Sequence, residues 1–377
     1  MEIEIAEHGR MTESGSSLLR LIQNQDIPLL DLLVRESVQN SLDAAIKGVP
    51  SVNVDFVTGQ FDSSGLNSHF AKISGKLDRE FPSGYGKYDF IQIRDSGTEG
   101  LTGPVSYDGV KNNDFGNLLK LVYEICKPQQ NEGAGGSWGL GKTVYFRIGI
   151  GLVIYYSRIF QNGKYISRMA ACMVEDETQK NTFIPVTGNL KRGIAWWGQS
   201  DGGNGTVPLE DCAEIDEILN IFGTVPYKGN QTGTTIIIPY INSEQLLDEV
   251  YARNEEGDFR PYWTRSVPEY LNVAIQRWYA PRIMNRDYKF GAFLVPSVNH
   301  RQVKDMLPLF RVVRNLYIMA VTGKDTYFSE NGIQVKTEHI FTRNVLTEGS
   351  AGTLVSVRMT GQQLKMLPPD NCKSPYQ

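Results

Sequence analysis

Residues 28 to 47 combine an apolar stripe with three polar side chains on a single face, and that combination restricts the fold more than any other stretch of the chain. Leu29, Leu33, Val34 and Leu42 recur at helical spacing, and Gly48-Val49-Pro50 supplies the stop. Within this helix Glu36, Asn40 and Asp43 stand at i, i+4 and i+7, so their side chains share one face. Two carboxylates and a carboxamide on the inner part of an apolar helix need a partner. A Mg²⁺-nucleotide is one such partner, and a solvated polar face with no task is the other reading. Mg²⁺ takes hard oxygen ligands, only one or two of them from protein. Asn40 offers one oxygen, and Glu36 has the chemistry to orient or deprotonate a water.

Three further motifs follow in order. A strand from Tyr88 to Arg94 delivers Asp95-Ser96-Gly97-Thr98-Glu99-Gly100-Leu101. A strand-end Asp before a Gly turn can accept a hydrogen bond from an exocyclic amine, and glycines let backbone approach a ligand closely. Taken alone, the same residues also describe an ordinary turn. The next motif is the run Gly133 to Thr143. Its Gly136, Gly141, Lys142 and Thr143 match the GxxxxGK[ST] phosphate loop. That loop should follow a buried strand, whereas residues 127 to 134 are polar. A different phosphate-cradling glycine loop fits the run better, and a surface loop without ligand is the remaining reading. The last motif is Gly233-Thr234 entering the apolar strand Thr234 to Pro239, which alone reads as ordinary core.

Composition sets the frame for these motifs. The 377 residues suit two domains, and a hydrophobic fraction of 41% supports a real core. A net charge of -4 gives no support for a dedicated nucleic-acid-binding domain. Lys289, Arg301, Lys304, Arg311 and Arg314 form a local basic region, read as solvated charges or as a phosphate-tracking patch. Cys126, Cys172, Cys212 and Cys372 form no CxxC pair, and the histidines do not cluster near them, so no zinc site is expected. The run Ile148 to Tyr156 is too short to span a bilayer, and the N-terminus lacks an apolar signal core. A cytoplasmic protein with free thiols is expected.

The remaining pattern alternates strands and helices. Val52, Val54 and Phe56 mark a strand, followed by a polar loop or elaborated hairpin from Phe61 to Gly86. Phe115, Leu118, Leu119, Val122 and Ile125 form a helical stripe. Strands are expected at Leu152 to Arg158 and Tyr165 to Val174, joined through the turn signal Asn162-Gly163. Trp196-Trp197 reads as core packing. Beyond residue 250 come a helix from Pro268 to Ala280 and strand-like runs at Phe290 to Val295, Val312 to Val321, Ile333 to Lys336 and Thr353 to Met359.

The four motifs, in this order, resemble the GHKL ATPase superfamily of DNA gyrase, heat-shock chaperone ATPases, histidine kinases and MutL, with the MORC proteins. The resemblance covers residues from about 16 to 240. It implies a Bergerat fold, an α+β two-layer sandwich of a mixed sheet backed by helices. It makes Glu36 the general base and Asn40 the Mg²⁺ ligand, with Asp43 lining the nucleotide pocket. Asp95 would recognise adenine, with Gly97 beside the base and Thr234 supporting Asp95 through its hydroxyl or a water. Gly136, Gly139 and Gly141 would form the phosphate-covering lid, with Lys142 reaching a phosphate. The family's second motif is usually Asp-x-Gly-x-Gly; here one more residue precedes Gly100. Glu36 and Asp43 point away from histidine kinases and toward the chaperone, MutL and MORC branch. There a second α+β domain often supplies a lysine to the γ-phosphate; Lys304, Lys324 and Lys336 are the candidates.

The expectation is therefore a domain of residues 1–250 that binds ATP and Mg²⁺, followed by a transducer-like domain of residues 251–377. Slow hydrolysis would drive lid closure and dimerisation, in a setting such as DNA repair or phage defence. Two alternatives stay open: a nucleotide-gated interaction module with little turnover, and a P-loop NTPase using Lys142 and Thr143.

Overall fold

Side chains that alternate between two apolar faces build the centre of the molecule. The computed structural model describes residues 1–6, 13–20, 27–112, 114–124, 141–186, 192–203, 205–210, 213–252, 261–341 and 351–364. Among the described residues, eleven strands form one mixed sheet. They are β1 (Glu2–Ile5), β2 (Ser51–Phe61), β3 (Tyr88–Ser96), β4 (Leu152–Gln161), β5 (Lys164–Val174), β6 (Ile194–Ser200), β7 (Thr206–Val207), β8 (Leu209–Glu210), β9 (Gly233–Pro239), β10 (Phe293–Val298) and β11 (Arg301–Gln302). The order across the sheet is β1-β6-β5-β4-β9-β3-β2-β10-β11, with β7 beside β6 and β8 beside β5. β10 runs parallel to β2, and the other pairings among the described residues are antiparallel. β12 (Val335–Ile340) and β13 (Gly352–Val357) form a separate antiparallel hairpin.

The helices of the described residues are α1 (Gly15–Arg20), α2 (Leu29–Asp43), α3 (Ser63–Asn67), α4 (Ser74–Glu80), α5 (Gly116–Leu118), α6 (Tyr145–Ile148), α7 (Ala213–Ile221), α8 (Ser243–Ala252), α9 (Val267–Tyr279) and α10 (Pro308–Thr322). On one face, α2, α6 and α9 pack with Val52, Ile91, Ile93, Val153, Ile236 and Leu294 in a single core. On the other, Leu66, Leu77, Ile215 and Ile218 of α3, α4 and α7 pack with Ile154, Met169 and Ile237. The adjacent tryptophans show the alternation, since Trp196 faces the first core and Trp197 the second. The expected α+β architecture, a mixed sheet backed by helices, is present, and its second face is covered as well.

Most elements lie where the periodicity puts them. The β4–β5 turn has positive φ at both Asn162 (53°) and Gly163 (77°), as a type I′ hairpin requires. Two readings need correction. Residues 61–86 contain α3 and α4 rather than only a loop or hairpin. The run Val312 to Val321, read as a strand, lies inside α10. Its β-branched residues suggested extended chain, but Pro308 opens the helix and Gly323 closes it with φ 70°. The predicted helix 28–47 is α2, ending at Asp43, and the predicted helix 268–280 is α9.

Candidate functional site

Asp95 is the centre of the site. It sits near the end of β3, is 8% exposed, and faces α2. Its Oδ1 accepts from Thr98 Oγ1 at 2.5 Å and from the Thr234 main-chain N–H at 2.8 Å. Its Oδ2 accepts from Ser41 Oγ of α2 at 2.9 Å. The link to Thr234 thus runs through the main chain, where the resemblance implied the hydroxyl or a water. Burial raises the Asp95 pKa, while the bonds from Thr98, Thr234 and Ser41 pull the other way. A carboxylate has about four acceptor positions, so Oδ2 retains one for a further donor.

The glycines around Asp95 have steric tasks. Gly97 has φ 80°, and a Cβ there would lie 2.9 Å from Ser51 O. Gly100, whose role the extra residue left open, has φ 72° and packs against β4 and β9. Leu101 N donates to Ser157 Oγ at 2.8 Å, and that hydroxyl donates to Gly233 O at 2.7 Å. Glu99 N donates to Ala44 O at 2.8 Å, which fixes the turn to the end of α2.

The polar face of α2 divides among three surroundings. Glu36 is partly exposed, with Arg35 Nε at 3.7 Å; burial raises its pKa, and Arg35 lowers it in part. Asn40 Nδ2 donates to the Tyr145 hydroxyl of α6 at 3.1 Å. Asp43 accepts from Gln39 Nε2 at 2.7 Å, and burial raises its pKa too. Asp43 also lines a groove of about 480 Å³ with Gln39, Ile46, Arg282 and Phe290. Asp95 and Asn40 are not among the residues lining that groove.

Gly136 and Gly139 lie outside the described residues, as does the Lys142 side chain. Gly141 and Lys142 belong to a 3₁₀ turn, Gly141–Val144, in which Thr143 is buried, and the four-residue α6 follows directly. β4, the next strand, pairs antiparallel with both β5 and β9, which is not the parallel setting of a GxxxxGK[ST] loop. In the basic region, Lys289, Arg311 and Arg314 donate to the main-chain carbonyls of Val321, Met306 and Met284. Among the described residues no cluster of three or more His, Cys, Asp or Glu is placed to hold a metal ion. No helix among them is long and apolar enough to cross a membrane.

Sequence reasoning missed Ser41, Thr98, Tyr145 and Asp31. Thr98 carried a signal, as a hydroxyl three residues after a strand-end Asp. Asp31 carried one too, as a charge inside a leucine run. Asp31 is 1% exposed and accepts from Arg277, Tyr270 and Trp278 Nε1, all of α9. One turn further along, the Tyr279 hydroxyl donates to Arg35 O at 2.6 Å. α9 therefore grips α2 immediately before Glu36.

No family model matches the chain, and no curated protein matches it. Among solved structures it is similar to the ATPase region of Saccharomyces cerevisiae topoisomerase II, at 9% identity and TM-score 0.37, covering 84% of this chain and 55% of that one. It is also similar to the ATPase and transducer domains of DNA topoisomerase II from Balamuthia mandrillaris, at 10% identity and TM-score 0.30, covering 73% of this chain and 47% of that one. The chain spans about half the length of these structures.

Proposed function

We propose that the chain is a GHKL-type ATPase that binds ATP with Mg²⁺ between α2, the end of β3 and the start of β9. The observation that carries the reading is the buried Asp95 carboxylate, held by three donors from three separate segments, with acceptor capacity to spare. An exocyclic adenine amine is the donor such an acceptor would read, and Gly97 leaves room for backbone beside the base.

The other roles follow from position on α2. Asn40, whose Nδ2 is committed to Tyr145, has its Oδ1 as the hard oxygen that suits Mg²⁺. Bound Mg²⁺ would neutralise phosphate charge as the terminal phosphoryl group departs. Glu36, with a raised pKa, is suited to take a proton from the attacking water. Asp43 would border the site toward residues 282–292. The glycines at 136, 139 and 141, with Lys142, would cover the phosphates, and Thr234 would hold Asp95. Lid closure and pairing of two copies would be the mechanical output. Residues 251–377 would supply a transducer-like part, with Lys304, Lys324 or Lys336 toward the γ-phosphate. The branch nearer chaperones, MutL and MORC, a cytoplasmic location, and a DNA-related or phage-defence role complete the proposal.

Calorimetric ATP titration and a sensitive phosphate-release assay test it together. Asp95→Asn should weaken ATP binding by roughly 100-fold, and Glu36→Ala should retain binding while losing turnover. Turnover of Glu36→Ala at the wild-type rate would overturn the mechanism. Wild-type binding with no measurable turnover would leave a nucleotide-gated module. Loss of binding in Lys142→Ala alone, with Asp95→Asn unaffected, would move the site to the phosphate loop.

A further inference from the structure

We infer that Tyr145 is a positioning residue for the Mg²⁺ ligand, fixing the Asn40 carboxamide so that its oxygen rather than its nitrogen faces the metal. This inference rests on the proposed function above. A carboxamide presents two ends of nearly equal shape and opposite polarity, and only the oxygen can ligate a cation. Left to itself, the group would sample both orientations. In the structure Asn40 Nδ2 is committed, donating to the Tyr145 hydroxyl at 3.1 Å. Oδ1 must then point the other way.

The anchor is itself rigid. Tyr145 is fully buried in the core that α2 and α6 share with the sheet. It lies directly after the Gly141–Val144 turn, and that turn packs on α2. Groups that orient a metal ligand without touching the metal are worth about 10–100-fold in metal affinity.

The test is Tyr145→Phe, which keeps the ring in its packing and removes one oxygen. ATP affinity is measured by calorimetry in EDTA and then across a Mg²⁺ series, with thermal melting as a folding control. The expected result is unchanged affinity in EDTA and about a tenfold rise in the Mg²⁺ needed for half of its effect. Asn40→Asp provides the second variant, because a carboxylate presents oxygen in either orientation. In that background Tyr145→Phe should cause no further loss, giving a clear coupling in the double-mutant cycle. An unchanged Mg²⁺ dependence in Tyr145→Phe, with Asn40→Ala altering it, would overturn the role of Tyr145 and leave the ATP site standing. An equal loss from Tyr145→Phe in the wild-type and Asn40→Asp backgrounds would also overturn it, as it would mark a packing effect. Absence of ATP binding in the wild type would instead remove the underlying reading.

Discussion

At the residue scale, the two carboxylates with the central proposed roles are set apart by their partners. Asp95 accepts from Thr98, Ser41 and the Thr234 amide, whereas Glu36 faces the Arg35 guanidinium at 3.7 Å. Asp95→Asn keeps the shape and the Oδ1 contacts but turns an acceptor into a donor. It should fold with a melting temperature near wild type and lose ATP affinity by roughly 100-fold, since an unpaired donor facing an amine costs about 1–3 kcal/mol or more. Differential scanning fluorimetry and ATP titration check the two halves separately. For Glu36 the raised pKa comes first from burial. Its charged form is thus destabilising in the fold, and the penalty is present above the folded pKa. The penalty fades as pH falls through that pKa and is gone below the ordinary glutamate value. Glu36→Gln should therefore melt higher than wild type at neutral pH, by about 2–4 °C for each kcal/mol of relief. The gap should close on acidification. Hydrolysis by the wild type should have an acid limb above the ordinary glutamate pKa, and Glu36→Gln should lose about 10²–10⁴-fold in rate. A melting gap that widens toward acid would contradict the assignment.

At the scale of elements, the link between α2 and α9 is the contact that sequence reading could not supply. Arg277 lies 246 positions from Asp31, and no local pattern connects them. Removing one partner leaves an uncompensated buried charge, a loss of about 3–5 kcal/mol. Arg277→Met should lower stability by that amount in urea unfolding. The double variant Asp31→Leu/Arg277→Met should recover much of it, because no lone charge remains. What was legible has a physical basis. The helical period of α2, the alternation of β2, the Asn162-Gly163 turn and the Pro268 start of α9 are local effects of side-chain period and backbone dihedral. The candidate site was legible as an ordered set of motifs, and the structure joins Asp95 to Thr234 through the Thr234 amide. Its hydroxyl partners, Ser41 and Tyr145, were hidden because serines and tyrosines are common and only the fold decides which of them meet a functional group. α10 was misread because β-branched residues outweighed its flanking Pro308 and Gly323.

At the scale of the molecule, residues beyond 250 complete the sheet and core that hold the candidate site. β10 pairs in parallel with β2 from Phe293 opposite Ser51 to Val298 opposite Phe56. Val267, Tyr270, Leu271, Ile275, Ile283 and Leu294 are buried in the same core as Leu33, Val38 and Ile93. Burying each large apolar side chain contributes about 1.5–3 kcal/mol, so these six together contribute on the order of 10 kcal/mol. Domain stabilities are typically about 5–15 kcal/mol, so their loss is comparable to the whole. A fragment of residues 1–250 would also expose the β2 edge and leave Asp31 buried or half-buried without Arg277. Residues 1–250 should therefore not fold without the segment that follows them. The fragment should aggregate or remain loosely packed, binding a hydrophobic dye and melting without a cooperative transition. A fragment of residues 1–307 retains α9, β10 and β11 and should restore cooperative melting. Among the described elements it loses α10 and the β12–β13 hairpin, which lies outside the main sheet. Cooperative unfolding of the 1–250 fragment by circular dichroism would show that α9 and β10 are accessories, and the grip of α9 on α2 would lose its structural meaning.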